Sequence, residues 1–151
     1  MDLPRTVEYI EVFYDGRCGM CCLFAEWLGR EPHVFRVKLI AYQSPEAERV
    51  FPGLGALDPA REMVVRTSEG DIHRGAEAWV WCLSSCARHQ DFARRLASPL
   101  MLPVAKRACR LLAAKRMTLS KALFRKKDRE VRAELHRMDE GGCRDGVCSL
   151  E

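Results

Sequence analysis

The chain has 151 residues, 48% of them hydrophobic and 30% charged, and a formal net charge of +4. That length suits one compact domain plus an appendage, and that balance excludes a disordered chain. No apolar run reaches the roughly 18–20 residues of a membrane-crossing helix, and residues 1–11 contain neither an apolar h-region nor a small-residue cleavage site, so the expected location is cytoplasmic.

In chain order, residues 7–14 are rich in β-branched and aromatic side chains and are stopped by Asp15-Gly16, which predicts a strand. A helix is expected from Cys18 to about Gly29. Cys21, Phe24, Ala25 and Leu28 recur there at i, i+3, i+4 and i+7, with Met20, Leu23 and Trp27 widening the face. Residues 34–40 alternate and predict a second strand. Ser44-Pro45-Glu46 has the cap, first-turn proline and acid of a short helix reaching about Phe51. Residues 52–59, with two glycines and two prolines, predict a loop, residues 62–67 a third strand, and residues 71–74 its hairpin partner across Ser68-Glu69-Gly70. A helix from Ala76 to about His89 follows, with Ala76, Trp79, Val80, Leu83 and Cys86 or Ala87 on one face. Pro99 and Pro103 bracket a break. A long amphipathic helix then has Val104, Ala105, Ala108, Leu111 and Leu112 as its apolar stripe. Thr118 or Ser120 is a candidate cap for a further basic helix ending near Met138.

The order β-α-β-(α)-β-β-α predicts an α/β fold with a small mixed sheet flanked by helices. Three units are expected: a thioredoxin-like core over 1–98, a basic helical extension packed on it over 99–138, and a flexible cysteine-containing tail over 139–151. Between Lys106 and Arg132 there are eleven Lys or Arg against two acids, so the rest of the chain carries a net charge of −5. Such asymmetry fits an anionic partner or membrane surface, but a solvated helix face is the default. With Phe124 as its one aromatic, the segment lacks the stacking residues of single-strand binders, and no nucleic-acid partner is expected.

Eight cysteines are unevenly placed: three between 18 and 22, then 82, 86, 109, 143 and 148. A chain this long can bury a core without disulfide staples, so redox chemistry or metal binding is the better expectation. Cys18-Gly19-Met20-Cys21 stands where a strand feeds a helix. Unpaired N–H groups and the helix dipole favour an anion there, which stabilises the Cys18 thiolate, and Arg17 adds a cation. Cys18 is therefore the expected nucleophile and Cys21, one turn inward, the resolving thiol. Asp15 is a candidate for proton transfer near Cys21, though a turn and helix-cap role is the preferred reading and the two are compatible. Cys22, Cys82, Cys86 and Cys109 are expected in packing, and His33, His73, His89 and His136 have no ligand spacing.

Tyr14-Asp15-Gly16-Arg17-Cys18-Gly19-Met20-Cys21 resembles the Asp-x-x-Cys-x-x-Cys signature of the DCC family of thiol–disulfide oxidoreductases, which is similar to thioredoxin and glutaredoxin in fold. The likeness continues through Glu62-Met63-Val64-Val65, the turn at Gly70, Gly75-Ala76-Glu77-Ala78, and Pro99 to Arg116. It implies a thioredoxin-like core, a disulfide-containing protein or small thiol as partner, an upstream electron donor, and no bound cofactor. One departure concerns Glu62, which occupies the place where thioredoxins have a substrate-docking cis-proline; Pro59 is the nearest proline. Cys143 and Cys148 flank a turn-forming Asp145-Gly146 after the Gly141-Gly142 hinge, as a possible relay for the Cys18–Cys21 pair. The rival expectation is a zinc-stabilised adaptor using Cys18, Cys21, Cys143 and Cys148. A structural subunit with a vestigial dithiol is the third.

Overall fold

A run of Tyr, Ile, Val and Phe broken by one glutamate forms β1 (Tyr9–Tyr14), the strand on which the rest is arranged. The computed structural model describes residues 7–123, with side chains through Lys115. β2 (Arg36–Ala41) pairs parallel to β1, with Leu39 opposite Val12. A parallel pair needs a crossover, and α1 (Gly19–Arg30) supplies it. β3 (Val64–Thr67) pairs antiparallel on the other side of β1, and β4 (Ile72–Arg74) closes the edge, giving the order β2-β1-β3-β4. The hairpin turns through Gly70 at φ +93°, the left-handed region where glycine carries no steric cost.

Being central, β1 is buried on both faces. Ile10 and Val12 point to one layer, where they meet Leu28 of α1 and Trp81 and Cys82 of α3 (Ala76–Ser85). Phe13 points to the other, against Ile40, Leu54, Val64 and Ala47 of α2 (Pro45–Val50). Glu11 shares the Phe13 side and is buried, yet it accepts from Arg66 Nε at 2.7 Å and lies 3.6 Å from Lys38 Nζ, so its charge is compensated. The Ser44 hydroxyl caps α2 by accepting the Ala47 N–H at 3.2 Å, as expected. A short 3₁₀ turn, Leu54–Leu57, occupies part of the expected loop.

Three helical expectations are corrected. The helix expected to reach His89 ends at Ser85, because the strand-like chain before β2 takes over its backbone groups. The Val34 N–H donates to the Ser85 carbonyl and the Ala87 N–H to the Pro32 carbonyl, each at 2.8 Å. A separate helix, α4 (Gln90–Ala97), follows; its buried stripe is only Ala93 and Ala97, too slight to announce a helix. Finally, α5 (Leu102–Leu123) runs unbroken through Thr118 and Ser120. Of its expected stripe only Ala105 packs inward: Val104, Ala108, Leu111 and Leu112 are exposed, and the half-buried face is Leu102, Ala105, Lys106, Cys109 and Ala113. Small side chains permit a close approach there, and Lys106 is drawn in by Glu77 of α3 at 2.7 Å. The helix expected to end near Met138 lies outside the described residues. Among the described residues no helix is long and apolar enough to cross a membrane. The result is a mixed α/β architecture consistent with a thioredoxin-like fold.

Candidate active site

Four residues, 15–18, join the end of β1 to the start of α1. Asp15 is buried, and its Oδ1 accepts the Arg17 N–H at 2.9 Å and the Gln43 Nε2–H at 2.6 Å. The Gly16 N–H returns to Gln43 Oε1 at 3.1 Å, and the Cys18 N–H donates to the Asp15 carbonyl at 3.1 Å. From inside the helix, the Cys22 thiol reaches the Gly16 carbonyl at 3.4 Å and the Asp15 carbonyl at 3.8 Å. A Cβ at Gly16 would stand 3.2 Å from the Ala41 Cβ and 3.3 Å from Gln43 Oε1, so a larger residue there would have to push one of them aside by a few tenths of an ångström. The turn is thus clamped by a carboxylate, a carboxamide and a thiol.

Cys18 is the N-cap of α1, in an extended conformation, and its carbonyl accepts the Cys22 N–H at 2.9 Å. That places its sulfur at the end of a 12-residue helix where N–H groups lack intrahelical partners and the dipole is positive. The first turn of α1 contains no acid to oppose this, and Arg17 is exposed beside it. Exposure departs from expectation: Cys18 is wholly buried, whereas Cys21 is half-buried. The residue facing the sheet with Ala25 and Leu28 is Cys22, about 100° around the helix from Cys21. The packing expected of Cys22 is what the structure shows.

A family model described as DCC1-like thiol-disulfide oxidoreductase matches residues 12–122. The chain belongs to this family. No curated protein and no solved structure matches it.

In this DCC1-like chain the turn brings Asp15, Arg17, Cys18 and Cys21 together. Glu62 stands just before β3. Because Val64 pairs with Phe13 in antiparallel register, that position is at the same end of the sheet as the Cys18 turn. Its contacts run to β4 and α5: Arg74 Nη2 lies 3.9 Å from its carboxylate, and Gly75 packs against it. With Arg61, Arg110 and Ala113 it lines a cleft of about 260 Å³. Burial, and then the charge of Glu62, push the half-buried Cys109 thiol up. Cys143 and Cys148, the expected relay and the second half of the rival zinc site, lie outside the described residues.

Cys82 and Cys86 form a second cysteine pair, at the opposite kind of helix end. Both are wholly buried at the C-terminus of α3, where the Cys86 thiol donates to the Cys82 carbonyl at 3.4 Å. Burial pushes both thiols up, reinforced for Cys82 by its neighbour Cys86 and for Cys86 by Glu31. Among the described residues no three His, Cys, Asp or Glu gather as a metal site.

Gln43 was the residue that sequence reasoning missed. Only its position between β2 and the capped α2 marks it, and nothing in its spacing from Asp15 signals the hydrogen bond.

Proposed function

We propose that this protein exchanges a Cys18–Cys21 dithiol/disulfide with a disulfide-containing protein or small thiol. The supporting observation is the placement of Cys18 as N-cap of α1 with Cys21 three residues on, at the mouth of a helix fed by the central strand. In the reducing direction the Cys18 thiolate attacks one sulfur of the substrate disulfide. A mixed disulfide forms and the other substrate sulfur leaves as a thiolate. The Cys21 thiolate then attacks the Cys18 sulfur, closing the internal disulfide and releasing the second substrate thiolate, so two electrons have passed to the substrate. An upstream thiol donor reverses these steps on the protein.

Asp15 serves here as a positioning residue, since its Oδ1 is engaged by the Arg17 N–H and Gln43 and holds the turn that carries Cys18. The burial of Cys18, and a glutamate in the place where thioredoxins dock substrate through proline, favour a restricted set of substrates over general reductase activity.

The test is a thiol count by mass after alkylation across a series of redox buffers, on the wild type, Cys18→Ser and Cys21→Ser. One two-electron transition joining Cys18 to Cys21 is expected. In Cys21→Ser, a mixed disulfide trapped between Cys18 and Cys143 or Cys148 would establish the tail as a relay. No internal Cys18–Cys21 disulfide at any potential would overturn the assignment, and one zinc per chain lost together with the fold would replace it with the adaptor.

A further inference from the structure

α5 has two apolar faces, and only one meets the rest of the protein. On the other, Val104, Leu111 and Leu112 are 58%, 65% and 53% exposed, with Ala108 between them, at i, i+7, i+8 and i+4. Leu100 and Met101 are 82% and 41% exposed in the turn entering the helix. Single exposed apolar residues are ordinary, but three large ones on one helix face, with two more in the turn before it, call for an occupant.

Charge selects that occupant. From Leu102 to Leu123 the helix carries six Lys or Arg and no Asp or Glu. Lys106 is matched by Glu77, whereas Arg107 and Arg110 are exposed and make no ion pair among the described residues. These two arginines border an open cleft of about 470 Å³ whose remaining wall includes Pro99, Pro103 and Val104. Cationic groups therefore stand directly beside the apolar stripe.

A second copy of the chain would bring two acid-free basic helices face to face. A nucleic-acid backbone would pair with the arginines but leave the leucines in water, and the stripe has no aromatic to stack on bases. An extended peptide seated in the cleft beside Arg107 and Arg110 would leave Leu111 and Leu112, which do not line it, in water. An anionic bilayer satisfies both features, taking the leucines into the acyl boundary while the arginine heads extend to the lipid phosphates. We infer that α5 is a peripheral docking surface for anionic phospholipid membranes, on which the helix lies in the plane of the interface. This inference stands on the exposed face of α5 alone and does not depend on the Cys18–Cys21 chemistry.

The experiment is co-sedimentation of the full-length protein with phosphatidylcholine vesicles, with and without phosphatidylglycerol. Binding should require phosphatidylglycerol and weaken as salt is raised. The triple variant Val104→Ser/Leu111→Ser/Leu112→Ser and the double variant Arg107→Glu/Arg110→Glu should each lose at least about tenfold in partitioning. Both should keep the wild-type circular dichroism and form the Cys18–Cys21 disulfide as the wild type does. Four results would overturn the inference. They are failure of the wild type to bind phosphatidylglycerol vesicles; binding that the serine variant retains; a concentration-dependent dimer that the serine variant abolishes; and tighter binding to duplex nucleic acid than to the vesicles.

Discussion

Cys18 with Cys21 and Cys82 with Cys86 are two cysteine pairs, each within about one helical turn, on helices that pack against the same sheet. Cys18 is as deeply buried as Cys82 and Cys86, so burial does not separate the pairs. The helix end does. Cys18 stands at a helix N-terminus, where backbone N–H groups have no intrahelical carbonyl to bond and the dipole favours an anion, while Cys86 stands among carbonyls, to one of which its thiol already donates. Desolvation opposes a thiolate at either site, and in the proposed reading the backbone offsets it at the first and adds to it at the second. On the proposed function, redox competence would follow the backbone field around the sulfur rather than its exposure.

Cysteine replacement should split the pairs most sharply. Cys18→Ser should lose all measurable disulfide exchange while its denaturant midpoint stays near that of the wild type, because serine is a favoured N-cap and its hydroxyl can accept a first-turn N–H. An exchange assay and an unfolding curve on the same sample check both halves. Cys82→Ser should do the reverse, retaining exchange while losing about 1–3 kcal/mol of stability by placing a hydroxyl in the apolar core. If Cys82→Ser lost exchange at unchanged stability, the division of labour between the pairs would collapse.

Gln43 tests whether the field at Cys18 depends on the clamp beneath it. Gln43→Leu removes the 2.6 Å donor to Asp15 and leaves a buried carboxylate short of a partner, a loss of about 1–3 kcal/mol. Alkylation of Cys18 should change with it, measured on the folded protein, while the chemistry of Cys82 should not.

The smallest effect is expected at the α3 end. Burial, opposed in part by hydrogen bonding to Leu28 and Ser85 and by Glu31, holds His33 below its ordinary value, and its Nδ1 lies 3.2 Å from the Ser85 hydroxyl. A depressed folded-state value means that the unfolded chain binds the proton first. The contribution of His33 is therefore complete above about pH 6.5 and is lost as pH falls below it. Unfolding midpoints between pH 7 and pH 5 should decline modestly in the wild type and less in His33→Asn.

The strand pattern, the hairpin at Gly70 and the Ser44 cap were legible because each is written in local periodicity or turn chemistry. So was the Cys18 helix mouth, which needs only a strand, a turn and a helix in sequence. The break after Ser85 was not, since it depends on residues 32–34 arriving from another part of the chain. Neither was the inward face of α5: the larger apolar residues, Val104, Leu111 and Leu112, suggested one side, whereas the small residues Ala105, Cys109 and Ala113 and the Lys106–Glu77 pair selected the other. Gln43 escaped notice because a hydrogen bond spanning 28 residues leaves no trace in either neighbourhood.

The most direct measurement is the pH dependence of alkylation, resolved by cysteine through peptide mapping, with a small and a bulky reagent on the reduced, folded protein. The helix-end account predicts that Cys18 reacts with the small reagent well below the pH of an ordinary thiol titration, and that the bulky reagent finds the half-buried Cys21 first. Cys82 and Cys86 should resist both. If Cys18 titrates like Cys82, or all reactive thiols follow the unperturbed value of about 8.5, the helix end does not set the chemistry and the account is wrong.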